Sequence, residues 1–208
     1  MIFPIAIIPK NKIALRGDQI MNVLSGFSSQ LTSDVKAELF KYRYNVFIET
    51  LGWELDTPKD MEVDKFDHDE TLYVVAKSNE GDVVGCARLL PTTEPYLLEE
   101  VFPELLNGQA APKSPDVWEI SRFTNLVSSQ NETGMTVGNG GQISEMSFTE
   151  LLQAAIQCAK KQGAKRLISV SPIGIERLLR KAGINGNRIG PPKVVNGHAI
   201  IACWIDID

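Results

Sequence analysis

Two runs decide how this chain folds: Val83-Val84-Gly85-Cys86-Ala87-Arg88-Leu89-Leu90-Pro91-Thr92-Thr93 and Val117-Trp118-Glu119-Ile120-Ser121-Arg122-Phe123. Both are apolar, rich in β-branched residues and bounded by turn signals, so both predict strands. In the first run alternation puts Val84, Cys86, Arg88 and Leu90 on one face and Val83, Gly85, Ala87 and Leu89 on the other. Apolar residues on both faces predict a strand covered on both sides. Each run nonetheless carries charge: Arg88 in the first, Glu119 and Arg122 in the second. A buried charge is costly unless it is paired or serves a ligand. The choice is therefore between an ion pair internal to the sheet and a site. Strict alternation also sends Glu119 and Arg122 to opposite faces, which calls for a bulge or for Arg122 lying past the strand end.

Outward from these runs the pattern alternates between strands and helices. A helix is expected over 34–49, with Thr32, Ser33 or Asp34 as its cap and Val35, Leu39, Tyr42 and Val46 at helical spacing. Residues 53–70 are acidic and aperiodic, and a loop of that length in a compact domain is usually functional or disordered. Strands are expected over 71–77 and 83–90, and a short helix over 97–106. A strand over 116–123 and a polar, glycine-rich loop over 128–141 come next. Phe148, Leu151, Leu152, Ala155, Ile156 and Ala159 form the clearest helical stripe, closed by Gly163. A strand over 166–171, a helix ending at Gly183 and a strand over 199–207 complete the pattern. The result is an α/β domain, a three-layer α/β/α sandwich around a mixed sheet. Residues 1–20, broken by Pro4 and Pro9, are expected to be an N-terminal extension, the alternative being an added edge strand, with 21–208 a single domain.

At 208 residues and 43% hydrophobic the chain can build a sizeable core, and its formal charge of -5 argues against general nucleic-acid binding. The charge is uneven. Acids dominate 54–119, whereas over 160–193 bases that include Lys160, Lys161, Lys165, Arg166 and Arg188 meet one acid, Glu176. Such asymmetry marks a face for a charged partner, or simply a solvated surface. Cys86, Cys158 and Cys203 form no Cys-x-x-Cys pair and read as buried thiols of a cytoplasmic protein, with no metal expected. No apolar run reaches membrane-spanning length. Residues 1–9 lack the basic start and the cleavage site of a signal peptide.

Six segments stand in order: Arg43-Tyr44-Asn45-Val46-Phe47, Trp53, Asp64-Lys65-Phe66-Asp67, the run from Arg88 to Thr93, Phe102, and Glu119-Ile120-Ser121-Arg122-Phe123. Together they resemble the LuxI-type acyl-homoserine-lactone synthases, the autoinducer synthases of bacterial quorum sensing. The resemblance runs from about residue 21 onward and is densest from 43 to 123. It implies a fold related to the GCN5-type N-acetyltransferases. It also implies an activity: S-adenosylmethionine, a substrate and not a cofactor, is acylated on its amine by an acyl carrier protein thioester and then closes to the lactone, releasing methylthioadenosine. No cofactor is implied.

Under that resemblance Glu119 and Arg122 are catalytic, with Glu119 the general base. Arg43, Phe47, Trp53, Asp64, Asp67, Arg88 and Phe102 bind S-adenosylmethionine. Forked arginine donors suit its carboxylate, and carboxylates and aromatic faces suit its cationic parts. The alternative for Arg43, Arg88, Asp64 and Asp67 is an ion-pair network that pins the N-terminal helix. Phe148, Leu152 and Ile156 are candidates for lining an acyl-chain pocket, and Lys160, Lys161 and Lys165 for docking the carrier. Two rival activities are an acyl-CoA-dependent N-acyltransferase of the same fold and a non-catalytic sensor of S-adenosylmethionine or lipid.

Overall fold

The structure, a computed structural model, describes residues 11–13, 21–125, 145–195 and 197–207. The loop expected over 128–141 lies outside the described residues. Contacts divide the chain into two compact units, Met1–Ala87 with Arg122–Ala154, and Arg88–Ser121 with Ala155–Asp208.

In the first unit β2 (Met21–Phe27) pairs antiparallel with β3 (Leu72–Lys77), from Asn22↔Lys77 to Phe27↔Leu72. Inside the segment expected to be an extension, β1 (Asn11–Ile13) pairs antiparallel with β2. The strand order continues to β4 (Val83–Pro91). Helix α1 (Ser33–Arg43) is capped by Thr32, whose Oγ1 accepts the Val35 N–H at 3.4 Å. Leu39 of α1 packs with Tyr73, Val75 and Cys86, joined by Leu24, Leu31 and Phe40. Each large apolar side chain buried this way contributes about 1.5–3 kcal/mol.

The helix expected to continue to 49 instead widens. Tyr44–Thr50 is a π-helical segment in which the Leu51 N–H reaches the Val46 carbonyl at 2.9 Å. Wide turns of this kind are uncommon and concentrate at functional sites. Here the widening accompanies a tertiary contact, the stacking of Phe47 on Trp53.

In the second unit β5 (Val117–Thr124) runs parallel to β6 (Arg166–Pro172), with Trp118 opposite Leu167. Strand β9 (His198–Asp206) is antiparallel to β6. Two short strands, β7 (Gly186–Arg188) and β8 (Lys193–Val195), both pair with β9. The parallel pair β5–β6 beside antiparallel pairs makes a mixed sheet, as expected. Strands β4 and β5 and helix α3 (Glu145–Lys161) each pass from one unit into the other. Helix α3 ends at Gly163, whose φ of 90° only glycine adopts freely, and the Ala164 N–H returns to the Ala159 carbonyl at 3.1 Å.

The helix expected over 97–106 is split into α2 (Leu97–Val101) and a tighter turn, Pro103–Leu106. Pro103 has no N–H to donate and forces the residue before it out of helical geometry; Phe102 sits at φ -130°, ψ 39°. A last helix, α4 (Ile175–Lys181), follows β6. The three cysteines are buried and unpaired by disulfide, and burial pushes the Cys86 thiol up to about 12. Among the described residues no helix is long and apolar enough to cross a membrane, and no cluster of histidine, cysteine, aspartate and glutamate could hold a metal ion.

Candidate active site

The conflict between Glu119 and Arg122 is resolved in the backbone. Arg122 lies within β5 at φ 50°, the left-handed region. For a residue with a Cβ this conformation costs about 1–2 kcal/mol, so surrounding contacts must hold it. The Cys86 thiol donates to the Arg122 carbonyl at 3.2 Å. Neighbouring β4 comes so close that a Cβ on Gly85 would stand 3.1 Å from the Thr124 carbonyl oxygen. The break re-aims the Arg122 side chain, as strand irregularities beside sites do.

That side chain is enclosed by charge and aromatic surface. Its Nε lies 3.1 Å from both carboxylate oxygens of Glu62, and its Nη2 donates to Glu62 Oε1 and Asp64 Oδ2, each at 2.9 Å. Phe47 and Trp53 stack at 4.7 Å between centroids, and the Arg122 guanidinium lies 5.5 Å from the first ring and 5.7 Å from the second. Its Nη1 donates to no described residue.

Arg43 stands behind this group and is 1% exposed. Its Nε donates to Glu62 at 2.5 Å, and its two terminal nitrogens grip Asp67 at 2.7 and 2.9 Å. Asp67 also accepts from the Tyr73 hydroxyl at 2.6 Å and from the Asp64 N–H at 2.8 Å. Burial alone would raise the Glu62 carboxyl, but the Arg122 and Arg43 guanidiniums outweigh it and hold that carboxyl below the usual carboxylate range. Burial would likewise lower Arg43, yet Asp67 and Glu62 together hold it well above its ordinary value, so it stays charged.

The remaining candidates fall in the second unit. Glu119 is fully buried, and its carboxylate accepts the Leu98 N–H at 2.7 Å and the Leu97 N–H at 3.1 Å, so it stands at the start of α2. Arg88 is also fully buried, and its Nε donates to Ser121 Oγ at 3.1 Å. Phe102 is half-buried at the break between α2 and Pro103. Thus Arg43, Phe47, Trp53, Asp64, Asp67 and Arg122 come together in one unit, while Glu119, Arg88 and Phe102 belong to the other.

Phe148, Leu152 and Ile156 are buried along one face of α3, with Phe148 edge-on to Phe123 at 5.2 Å. Lys160 and Lys161 are exposed in the last turn of α3. Lys165 is paired with Asp116 at 2.8 Å, Arg166 with Asp206 at 3.0 Å, and Arg188 with Glu176. Three of the nine bases of this stretch are thus locally neutralised.

Two residues of these clusters escaped sequence reasoning, Glu62 and Tyr73, and Ser121, though part of the run from Glu119 to Phe123, carried no assigned role. Tyr73 looked like an ordinary strand residue. Glu62 was one acid among many in an aperiodic loop, although its place two residues before Asp64 was the available signal.

The comparisons with known proteins agree with one another. The autoinducer synthase family matches residues 27–208. The acyl-homoserine-lactone synthase of Acinetobacter nosocomialis is 46% identical over 187 residues, covering 90% of this chain and 100% of that one. That of Ralstonia nicotianae is 41% identical over 181 residues, covering 86% of this chain and 85% of that one. Among solved structures, TofI in a ternary complex with an inhibitor and MTA aligns with a TM-score of 0.76 at 41% identity, covering 89% of this chain and 91% of the other. LasI, an AHL synthase, aligns at 0.78 and 29%, covering 90% of each. An N-acetyltransferase-like structure from Lactobacillus plantarum, at 16% identity and a TM-score of 0.59, shares the fold alone. With the family matched across most of its length, the chain belongs to the autoinducer synthases, the acyl-homoserine-lactone synthases.

Proposed function

We propose that this protein makes an N-acyl-homoserine lactone from S-adenosylmethionine and an acyl carrier protein thioester. The observation that carries the reading is Arg122, which is held on one edge by Glu62 and Asp64 and flanked by two aromatic rings, with Nη1 unused by any described residue. A guanidinium edge of this kind suits the carboxylate of S-adenosylmethionine. The stacked faces of Phe47 and Trp53 suit its sulfonium. Asp64 suits its ammonium.

In the first step the amine attacks the thioester carbonyl carbon, a C–N bond forms, and the C–S bond breaks to release the carrier thiol. The amine proton passes to Glu119, the base we assign, directly or through a water. In the second step the carboxylate attacks its own side chain at the carbon bearing sulfur. The sulfonium leaves as neutral methylthioadenosine and the lactone ring closes. Arg43 and Asp67 support Arg122 and its carboxylate partners from behind, and Arg88 is assigned to the same substrate. Phe148, Leu152 and Ile156 line the acyl chain.

The choice of a carrier protein rests on Lys160 and Lys161, exposed at the end of α3, where an acidic carrier would dock. BjaI, 27% identical, is a CoA-dependent acyl-homoserine lactone synthase seen with SAM and isopentyl-CoA, which makes acyl-CoA the alternative donor. The test is to incubate pure protein with S-adenosylmethionine and a panel of acyl carrier protein and acyl-CoA thioesters and to analyse products by mass spectrometry. Equimolar acyl-homoserine lactone and methylthioadenosine, formed faster from carrier thioesters, is the expected result. Acylation without lactone, or no turnover with any donor, overturns the reading.

A further inference from the structure

We infer that Glu62 is a positioning residue for Arg122: by holding the Nε–Nη2 edge of that guanidinium, it leaves Nη1 as the edge offered to substrate. The inference rests on the assignment of Arg122 to S-adenosylmethionine.

Glu62 is 1% exposed. It meets Arg122 side-on, with Nε 3.1 Å from both of its oxygens and Nη2 2.9 Å from Oε1. Two donors gripped on one edge fix the plane of a guanidinium, whereas a single contact leaves it free to turn. Asp64 supplies only such a single contact, to Nη2 at 2.9 Å. Glu62 is itself immobilised. Its N–H donates to the Phe40 carbonyl of α1 at 3.0 Å, and its Oε2 accepts from Arg43 Nε at 2.5 Å. Arg43 in turn is clamped by Asp67. The strained backbone of Arg122 and the fixed carboxylate of Glu62 therefore determine one side-chain direction together. Glu62 is the one described carboxylate that touches both arginines, so it also screens two guanidiniums from each other. The lowered Glu62 carboxyl agrees with a permanent anion here.

The test uses the full chain with three substitutions. Glu62→Gln keeps the size and removes the charge, Glu62→Asp keeps the charge and withdraws it by one methylene, and Arg122→Lys reports on the underlying assignment. Misplacing a substrate-binding group by about an ångström costs up to ~10²-fold, so Glu62→Gln is expected to raise the KM for S-adenosylmethionine by roughly ten- to a hundredfold. The kcat at saturation should fall less, and Glu62→Asp should recover part of the loss. The Arg122 Nε–H resonance, identified by its disappearance in Arg122→Lys, should shift or broaden in both Glu62 variants. A folded Glu62→Gln protein with the wild-type KM and an unmoved resonance overturns the inference. If that variant does not fold, a wild-type KM in Glu62→Asp overturns it equally. A raised KM in Arg122→Lys with both Glu62 variants unchanged defeats the positioning role alone. An unchanged KM in Arg122→Lys defeats the assignment of Arg122 to substrate, and the inference with it.

Discussion

Replacing Arg43 by Met tests whether the network behind Arg122 holds the first unit together. The substitution roughly conserves volume and deletes a fully buried charge together with its bonds to Glu62 and Asp67. Breaking a buried ion pair from one side typically costs about 3–5 kcal/mol, because the stranded partner keeps its desolvation penalty. Here neither carboxylate is wholly stranded. Asp67 retains the Tyr73 hydroxyl and the Asp64 N–H, and Glu62 retains Arg122. The loss should therefore fall at the lower end, about 3 kcal/mol. For a chain of this length that corresponds to a melting temperature lower by roughly 6–12 °C. Circular dichroism melts of wild type, Arg43→Met and Arg43→Lys at neutral pH measure it. Lysine keeps the charge but lacks the fork that grips Asp67, so it should fall between the other two. A drop smaller than about 2 °C in the Met variant would refute the reasoning, since the desolvated carboxylates would then be indifferent to their partner.

Glu119→Gln should fold and bind S-adenosylmethionine yet lose about 10²–10⁴-fold in acylation, read by product formation, and near-normal turnover would leave Glu119 a structural acceptor for α2. Acid should selectively weaken what Glu62 contributes. Its native carboxyl lies below the ordinary 4.5, so its stabilisation is complete above that value and is lost as pH falls through the lowered native one. Urea unfolding of wild type and Glu62→Gln should show a stability gap at pH 6.5 that narrows below pH ~4.5; a gap independent of pH would contradict the shift. Lys160→Glu with Lys161→Glu should raise the KM for a carrier-protein thioester in a salt-dependent way and leave acyl-CoA kinetics unchanged. Equal losses with both donors would indicate misfolding instead of lost docking.

The elements that sequence exposed were those whose own pattern dictates them. The apolar stripe of α3 and its Gly163 stop need only a 3.6-residue period and one glycine, and both lie where the sequence places them. Strands β3, β4 and β6 likewise follow from short apolar runs. Elements imposed from outside stayed hidden. Strands β7 and β8 are three residues each and owe their form to pairing with β9. The left-handed Arg122 opposes its own intrinsic preference, so sequence could expose only the mismatch with Glu119. Glu62 was invisible for another reason: a loop without periodicity has no predictable face, and the two arginines that select this acid lie 19 and 60 residues away.

The wide turn at Tyr44–Thr50 makes chain length itself part of the specification. A π-helical turn holds one more residue than the α-helical turn it interrupts. Deleting Ile48, Glu49 or Thr50 would let the ladder return to ordinary spacing, a local gain in regularity. Each residue advances a helix by about 100°, so everything beyond the deletion would be rotated by that angle relative to α1. The pairing of Phe47 with Trp53 would be dismantled without either ring being altered. Side-chain substitutions in this segment and a single-codon deletion are therefore different kinds of injury: the first erodes a contact, while the second turns the wall that carries it.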